Sequence, residues 1–592
     1  MSETLAATDL PVWDLSDLYP GRQSKELLDD LTSSATDAKR FQERYLGQVA
    51  GLSADDFAAA IAAYEKIEEV LGRIMSYAGL CYASDMSDPK IAQFFAGMQE
   101  QVTDISSDLI FFTLEINRLD DKALDECLAS SPDLSHYRPW LRDIRVMRPH
   151  QLSDDIEKLL HEKHVVGRAA WNRLFDETLA NLTFEVAGQT LGLEETLNLL
   201  SEKDADKRRS AAAALATTFQ SNLRLFAQVT NVLAKDKEIE DKWRAFPTPD
   251  ASRHLANHVE GEVVDALRAA VVDAYPRLSH RYYALKAKWL GLDQLNYWDR
   301  NAPLPEDVDR KVPWGEARDL VLRAYGRFSP DMATIGQRFF DNAWIDVPVR
   351  PGKSPGAFAH PTVPSAHPYL LLNYQGKIRD VMTLAHELGH GVHQVLAAGQ
   401  GALMADTPLT LAETASVFGE QLTFRALLES EDNPANRKIM LANKVEDMIN
   451  TVVRQIAFYE FEREVHAERR DGELTAERLG EIWLGVQERS LGPAIKLDPD
   501  YASFWCYIPH FIHSPFYVYA YAFGDCLVNA LYAVYRDADS GFQEKYFDML
   551  RAGGTLRHKE LLAPFGLDAS EPAFWQQGLS VIESFIDELE AS

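Results

Sequence analysis

Apolar residues in this chain recur every three to four positions over most of its length, and that period commits the bulk of it to amphipathic helices. Asp56 to Leu80 carries Phe57, Ile61, Tyr64, Ile67, Val70 and Leu71 at helical spacing, and Ile91 to Leu119 repeats the pattern through Phe94, Phe95, Met98, Val102, Ile105 and Leu109. The same reading predicts helices over Asp155 to Leu174, Ala205 to Ala245, Ile378 to Leu396, Leu409 to Leu428 and Arg437 to Arg469. Three more follow at Thr475 to Arg489, Tyr517 to Tyr535 and Phe574 to Glu588. Strand-like material is scarce. Asn181 to Leu193 alternates around an Ala-Gly turn and predicts a short hairpin. The Pro- and Gly-rich stretch Ile345 to Tyr374 offers two extended candidates, Gly356 to Ala359 and Tyr369 to Tyr374. The expected class is mainly α with a small β element. Met147 to Ser153 and Phe246 to Ser252 are candidate boundaries. The layout expected is a helical N-terminal lobe, residues 1–200, followed by a larger helical body, residues 201–592.

Composition narrows the function. With 46% apolar and 25% charged residues in 592, the chain has the make-up of a globular protein, which excludes wholesale disorder. Lys and Arg number 60 against 90 Asp and Glu, a net charge of −30. That surplus argues against binding nucleic acid, which needs cations for phosphates, and against docking on an anionic membrane. Cys81, Cys127, Cys506 and Cys526 are scattered without a CxxC pair, as in a reducing compartment. Met1 to Leu10, with Glu3 and Asp9, lacks the basic start and apolar core of a secretion signal. No apolar run reaches the ~18–20 residues of a membrane span. A cytoplasmic location is expected.

The chemistry lies in Leu384 to Gln394, LAHELGHGVHQ. His386 and His390 are four apart, so on a helix both imidazoles reach one cation. Zinc suits two neutral imidazoles, although cobalt and manganese are alternatives. Glu387, rotated about 100° from His386, can address a water on that cation without being a ligand, which is where a general base belongs. By chance HExxH arises only about 0.03 times in such a chain, so the motif carries weight. A third histidine at 396 would mark a metzincin; Leu396 and His393 exclude it. Instead Glu413 follows His390 by 23 residues, on a helix that the loop with Gly399, Gly401 and Pro408 lets fold back. The expected site is His386, His390 and Glu413 around one zinc per chain, with a position left for water. Glu420, two turns on, is a candidate partner for a ligating histidine.

Five stretches together make the chain resemble the M3 family of metallopeptidases, of the oligoendopeptidase F type. They are WDLSDLYP from Trp13, GAF at Gly356 to Phe358 with HPYLLLNY from His367, LAHELGHGVHQ, LAETASVFGE from Leu411, and IPHFIHSPFYVYAYAFG from Ile508. The resemblance implies a bilobed helical fold around a deep channel with zinc in its floor, open only to short unfolded peptides. It also implies a cytoplasmic endopeptidase in which a His and one or more Tyr of the aromatic segment stabilise the transition state.

Read for its own chemistry, that segment supplies N–H and O–H donors for a tetrahedral oxyanion. His510 and Tyr517 are the foremost candidates, with His513, Tyr519 and Tyr521 as further substrate contacts. The GAF segment, Gly356, Ala357 and Phe358, is a strand edge that could pair with substrate backbone, Gly356 permitting close approach. His360 and His367 beside it serve structure or substrate. Two other functions stay open: a metallocarboxypeptidase with the same metal site, and a non-catalytic helical peptide-binding protein. Short peptides are the expected partners; the sequence leaves the oligomeric state open.

Overall fold

Helices make up 71% of the described residues, as the period predicts, with a few short strands. The computed structural model describes residues 10–592 except 165, 306–310, 355 and 539. Glu3 and Asp9, on which the reading of the N-terminus rests, lie outside the described residues. No helix among the described residues is long and apolar enough to cross a membrane.

Where the helices depart from expectation, local chemistry explains the break. The single helix expected from Ile91 is two, Pro89–Ser107 and Ile110–Arg118. Before the break the Ser107 hydroxyl donates to the Thr103 carbonyl, a back-bond that bends helices. The stretch expected as one helix to Arg469 is Pro434–Thr451 and Val453–Arg469, divided within a β-branched run, Thr451, Val452 and Val453. The helix expected from Tyr517 starts at Tyr519. Phe516 just upstream has φ +60°, a left-handed conformation that no helix continues through.

The chain forms two compact units, each assembled from three separated stretches. The first comprises Met1–Arg148, Asp309–Ser430 and Ala538–Phe565. Its small sheet has Tyr369–Leu371 in the centre, parallel to Ile345–Asp346 and antiparallel to Phe358–His360. The WDLSDLYP stretch braces that sheet. Trp13 donates through its indole N–H to Ser84 Oγ, and the Tyr369 hydroxyl donates to the Asp14 carbonyl. His367 stacks on Trp344 with ring centres 3.8 Å apart and meets Asp17 at 2.9 Å. His360 hydrogen-bonds Ser76, so both histidines are tied into structure.

The second unit comprises Pro149–Val308, Glu431–Asp537 and Gly566–Ser592. Its longest helix, Ala205–Trp243, is N-capped by Asp204, which accepts from the amides of Asp206 and Lys207. The expected hairpin is present as Phe184–Val186 and Gln189–Leu191. Ala187 and Gly188 turn it at φ +50° and +82°, the twist two-residue hairpins favour.

Candidate active site

The helix Ile378–Ala397 is launched by Asp380, whose carboxylate accepts the amides of Gln375 and Lys377. Its apolar stripe, Val381, Leu384, Ala385, Leu388 and Val392, turns inward and fixes which way the histidines point. The rings of His386 and His390 lie 4.9 Å apart and nearly perpendicular. From Leu409–Ser430, Glu413 brings Oε2 to 3.3 Å from His386 Nε2 and 3.5 Å from His390 Nε2. Donor atoms of the three all lie within 4.8 Å of one another. Donors bound at 2.0–2.1 Å to one tetrahedral zinc stand about 3.3–3.4 Å apart, so this set fits the ion.

The two helices come this close because of a glycine inside the motif. A Cβ on Gly389 would lie 2.4 Å from the Ala415 carbonyl oxygen, so any side chain there would push Glu413 away from the histidines. Two buried tyrosines hold the ligand-bearing turns. Tyr325 donates to the Ala385 carbonyl at 2.6 Å, and Tyr546 to the Thr414 carbonyl at 3.0 Å. The Ser416 hydroxyl donates to Glu413 Oε2 at 2.7 Å. Neither tyrosine nor this serine is singled out by sequence reasoning. The tyrosines lie 60 and 132 residues from their partners, and serine on a helix gives no distinctive signal.

Carboxylates crowd the imidazoles. Burial pulls the His386 pKa down, but the bond to Glu420 and the charges of Glu413, Glu387 and Glu420 together carry it up to about 9. Its Nδ1 lies 3.5 Å from Glu420 Oε2, the arrangement expected of a carboxylate orienting a ligating histidine. His390 moves the other way, to about 4, through burial and the charge of His386. His393, wholly enclosed one turn on, is held neutral by burial and by His390. The cluster thus concentrates negative charge that a divalent cation would neutralise. Glu387, only 7% exposed, is pushed up to about 7 by burial, with Glu413 adding to the rise and His386 opposing it.

The Ala359 amide hydrogen-bonds Glu387, and its carbonyl accepts from Gln394 at 3.4 Å. The edge strand is therefore fastened to Glu387 as well as to the sheet. Gly356 has φ +78° with open space around it, so its backbone conformation, not close packing, calls for glycine. Its carbonyl is held by Asn373.

The aromatic segment belongs to the second unit. His510 Nε2 lies 3.2 Å from the Tyr521 hydroxyl, and Tyr517 packs on both, at 6.1 Å and 5.4 Å between ring centres. Burial, then the charges of Arg454 and His513, lower the His510 pKa, which keeps the imidazole neutral. The turn that presents Tyr517 is held by the Glu462 carboxylate, which accepts the Phe516 amide, and by Arg253, which donates to the Pro515 carbonyl. His513 is exposed and bonded to Asp176. Tyr519 is fully buried with its hydroxyl engaged by His254 and Asn257, a packing position that leaves no surface for peptide.

The sequence model of peptidase family M3 matches residues 198–581, and that of the oligopeptidase F N-terminal region matches 115–184. Oligopeptidase PepF of Bacillus subtilis is 27% identical, the match covering 100% of this chain and 90% of the relative. Group B oligopeptidase PepB of Streptococcus agalactiae is also 27% identical, over 98% of this chain and 96% of the relative. Among solved structures, oligoendopeptidase-F of Enterococcus faecium superposes with TM-score 0.71 at 24% identity, covering 96% of this chain and 98% of that one. At that identity the superposition speaks for the fold alone.

Proposed function

The chain belongs to peptidase family M3, and from that premise we propose that it is a zinc-dependent endopeptidase cleaving internal bonds of short, unfolded oligopeptides. The observation that carries this reading is the His386, His390 and Glu413 donor set, spaced for one tetrahedral cation beside the buried carboxylate of Glu387. Bound there, zinc supplies Lewis-acid polarisation of the peptide carbonyl and activation of water.

The chain's own groups do the rest. Glu387 takes the proton of the attacking water and delivers it to the leaving amine nitrogen. Its raised pKa suits both halves of that transfer, and the Ala359 amide keeps the carboxylate oriented. Glu420 holds the His386 ring. His510, as neutral imidazole, and Tyr517 donate to the oxyanion, an assignment resting on their chemistry and on the family resemblance. Tyr521 orients His510, while Gly356 to Phe358 and His513 contact substrate. The four cysteines are free thiols, which supports a cytoplasmic setting. The family-model boundaries at 184 and 198 support a sequence division near residue 200.

The test uses an internally quenched peptide with both ends blocked. We expect cleavage that stops with chelator and returns with zinc. Cleavage of only the free-carboxylate version would make this an exopeptidase, and cleavage of neither would refute the enzymatic reading.

A further inference from the structure

In a chain with three acidic residues for every two basic ones, a guanidinium without a carboxylate is out of character. In the second unit two such arginines, Arg300 and Arg454, stand together. Four cations gather where Val453–Arg469 meets the segment from Asn296 to Arg300: Arg208, Lys286, Arg300 and Arg454. Two of them are paired. Arg208 grips Asp299 at 2.8 Å, and Lys286 is ion-paired with Glu446, which also accepts from Tyr282.

Arg300 and Arg454 have no carboxylate partner among the described residues. Both are partly exposed. Their surroundings are phenols: Tyr283, Tyr501 and Tyr507. Arg300 Nε is buried without a hydrogen-bond partner. Arg454 lies over the Phe458 ring at 4.8 Å, and Phe458 in turn packs on Phe511, the neighbour of His510. Burial and the like charge of Arg300 pull the Arg454 pKa down. Two adjacent guanidiniums deprived of much of their water are costly unless an anion completes them.

We propose that Arg300 and Arg454 form a subsite for a carboxylate of the peptide substrate. The fork of a guanidinium matches a carboxylate through two parallel N–H donors, and tyrosine hydroxyls nearby add neutral donors without competing charge. The inference deepens the peptidase reading and rests on it for the identity of the ligand. The carboxylate is the chain terminus or an acidic side chain near it, and the experiment separates these sources.

Four fluorescent peptides are compared: one sequence as free acid and as amide, and two amide variants of it ending in Glu and in Gln. Binding to the full-length Glu387→Gln protein is read by anisotropy. We expect the free acid to bind at least about tenfold more tightly than its amide. Arg454→Gln and Arg300→Gln in the same background should erase that advantage without weakening the amide. An advantage confined to the Glu amide over the Gln amide assigns the subsite to a side-chain carboxylate. Equal affinity for all four peptides overturns the proposal and needs no arginine variant, so a misfolded variant cannot shield it. An undiminished preference in both arginine variants overturns it as well. Hydrolysis is followed in parallel with the wild-type protein. Failure to cleave any of the four would refute the peptidase reading and leave the binding comparison intact.

Discussion

Glu462 is enclosed on all sides, and only one of its oxygens is used. Oε1 accepts the Phe516 amide at 2.8 Å, while Oε2 has no partner. Burial pushes this carboxyl up to about 8. In the unfolded chain it ionises in the ordinary carboxylate range, so the folded state gains from it below that range and loses the gain as pH rises to about 8. Glu462→Gln keeps an acceptor for Phe516 and removes the proton. The variant should therefore gain on wild type by a few kcal/mol between about pH 5 and pH 8. Urea melts at pH 5, 7 and 9 check this; parallel pH dependence in the two proteins would contradict it. At Glu420, the prediction is that Glu420→Gln weakens metal affinity by about 10–100-fold in chelator competition. Unchanged affinity would show that Glu420 does not steer His386. His386 and His390 were legible in the sequence because helical spacing is a local property, and Glu413 because the short loop with Gly399, Gly401 and Pro408 lets the next helix fold back. Tyr325 and Tyr546 were not, since packing alone brings them to the ligand-bearing turns.

Between helices, Gly389 decides the geometry. Its missing side chain lets Leu409–Ser430 seat Glu413 against both histidines. Gly389→Ala should lower stability by about 1–3 kcal/mol and weaken the metal site, because backbone must move to admit the methyl group. Equal metal affinity in the variant, measured by chelator competition, would show that the crossing has slack. The ten helical stretches read from the sequence are helical in the structure, some of them broken, since long amphipathic periods override local detail, whereas Lys25–Tyr45, Gly261–Ala274 and Trp314–Phe328 were not read. The interruptions were less legible. The break after Ser107 depends on a side chain bonding back to its own helix, and the later start at Tyr519 depends on a left-handed Phe516 held by Glu462 from another helix.

Over the whole molecule, the −30 charge argues against phosphate-rich partners, and we propose that its field favours cationic peptides. We expect kcat/KM for Lys-rich peptides to fall with added salt more steeply than for neutral ones; identical salt curves would remove that role for the charge. Within this acidic whole, Arg300 and Arg454 are a local exception, legible only once the fold brings them together beside the paired Arg208 and Lys286. The two-unit assembly was not legible, because each unit is built from stretches that the sequence separates widely. In the proposed mechanism His386, His390 and Glu413 hold one zinc and Glu387 moves the proton. This mechanism is tested most directly by measuring metal content and peptide turnover together in purified Glu387→Gln protein. We expect about one zinc per chain with turnover reduced at least about 100-fold, and near-wild-type turnover with the metal in place would contradict the mechanism.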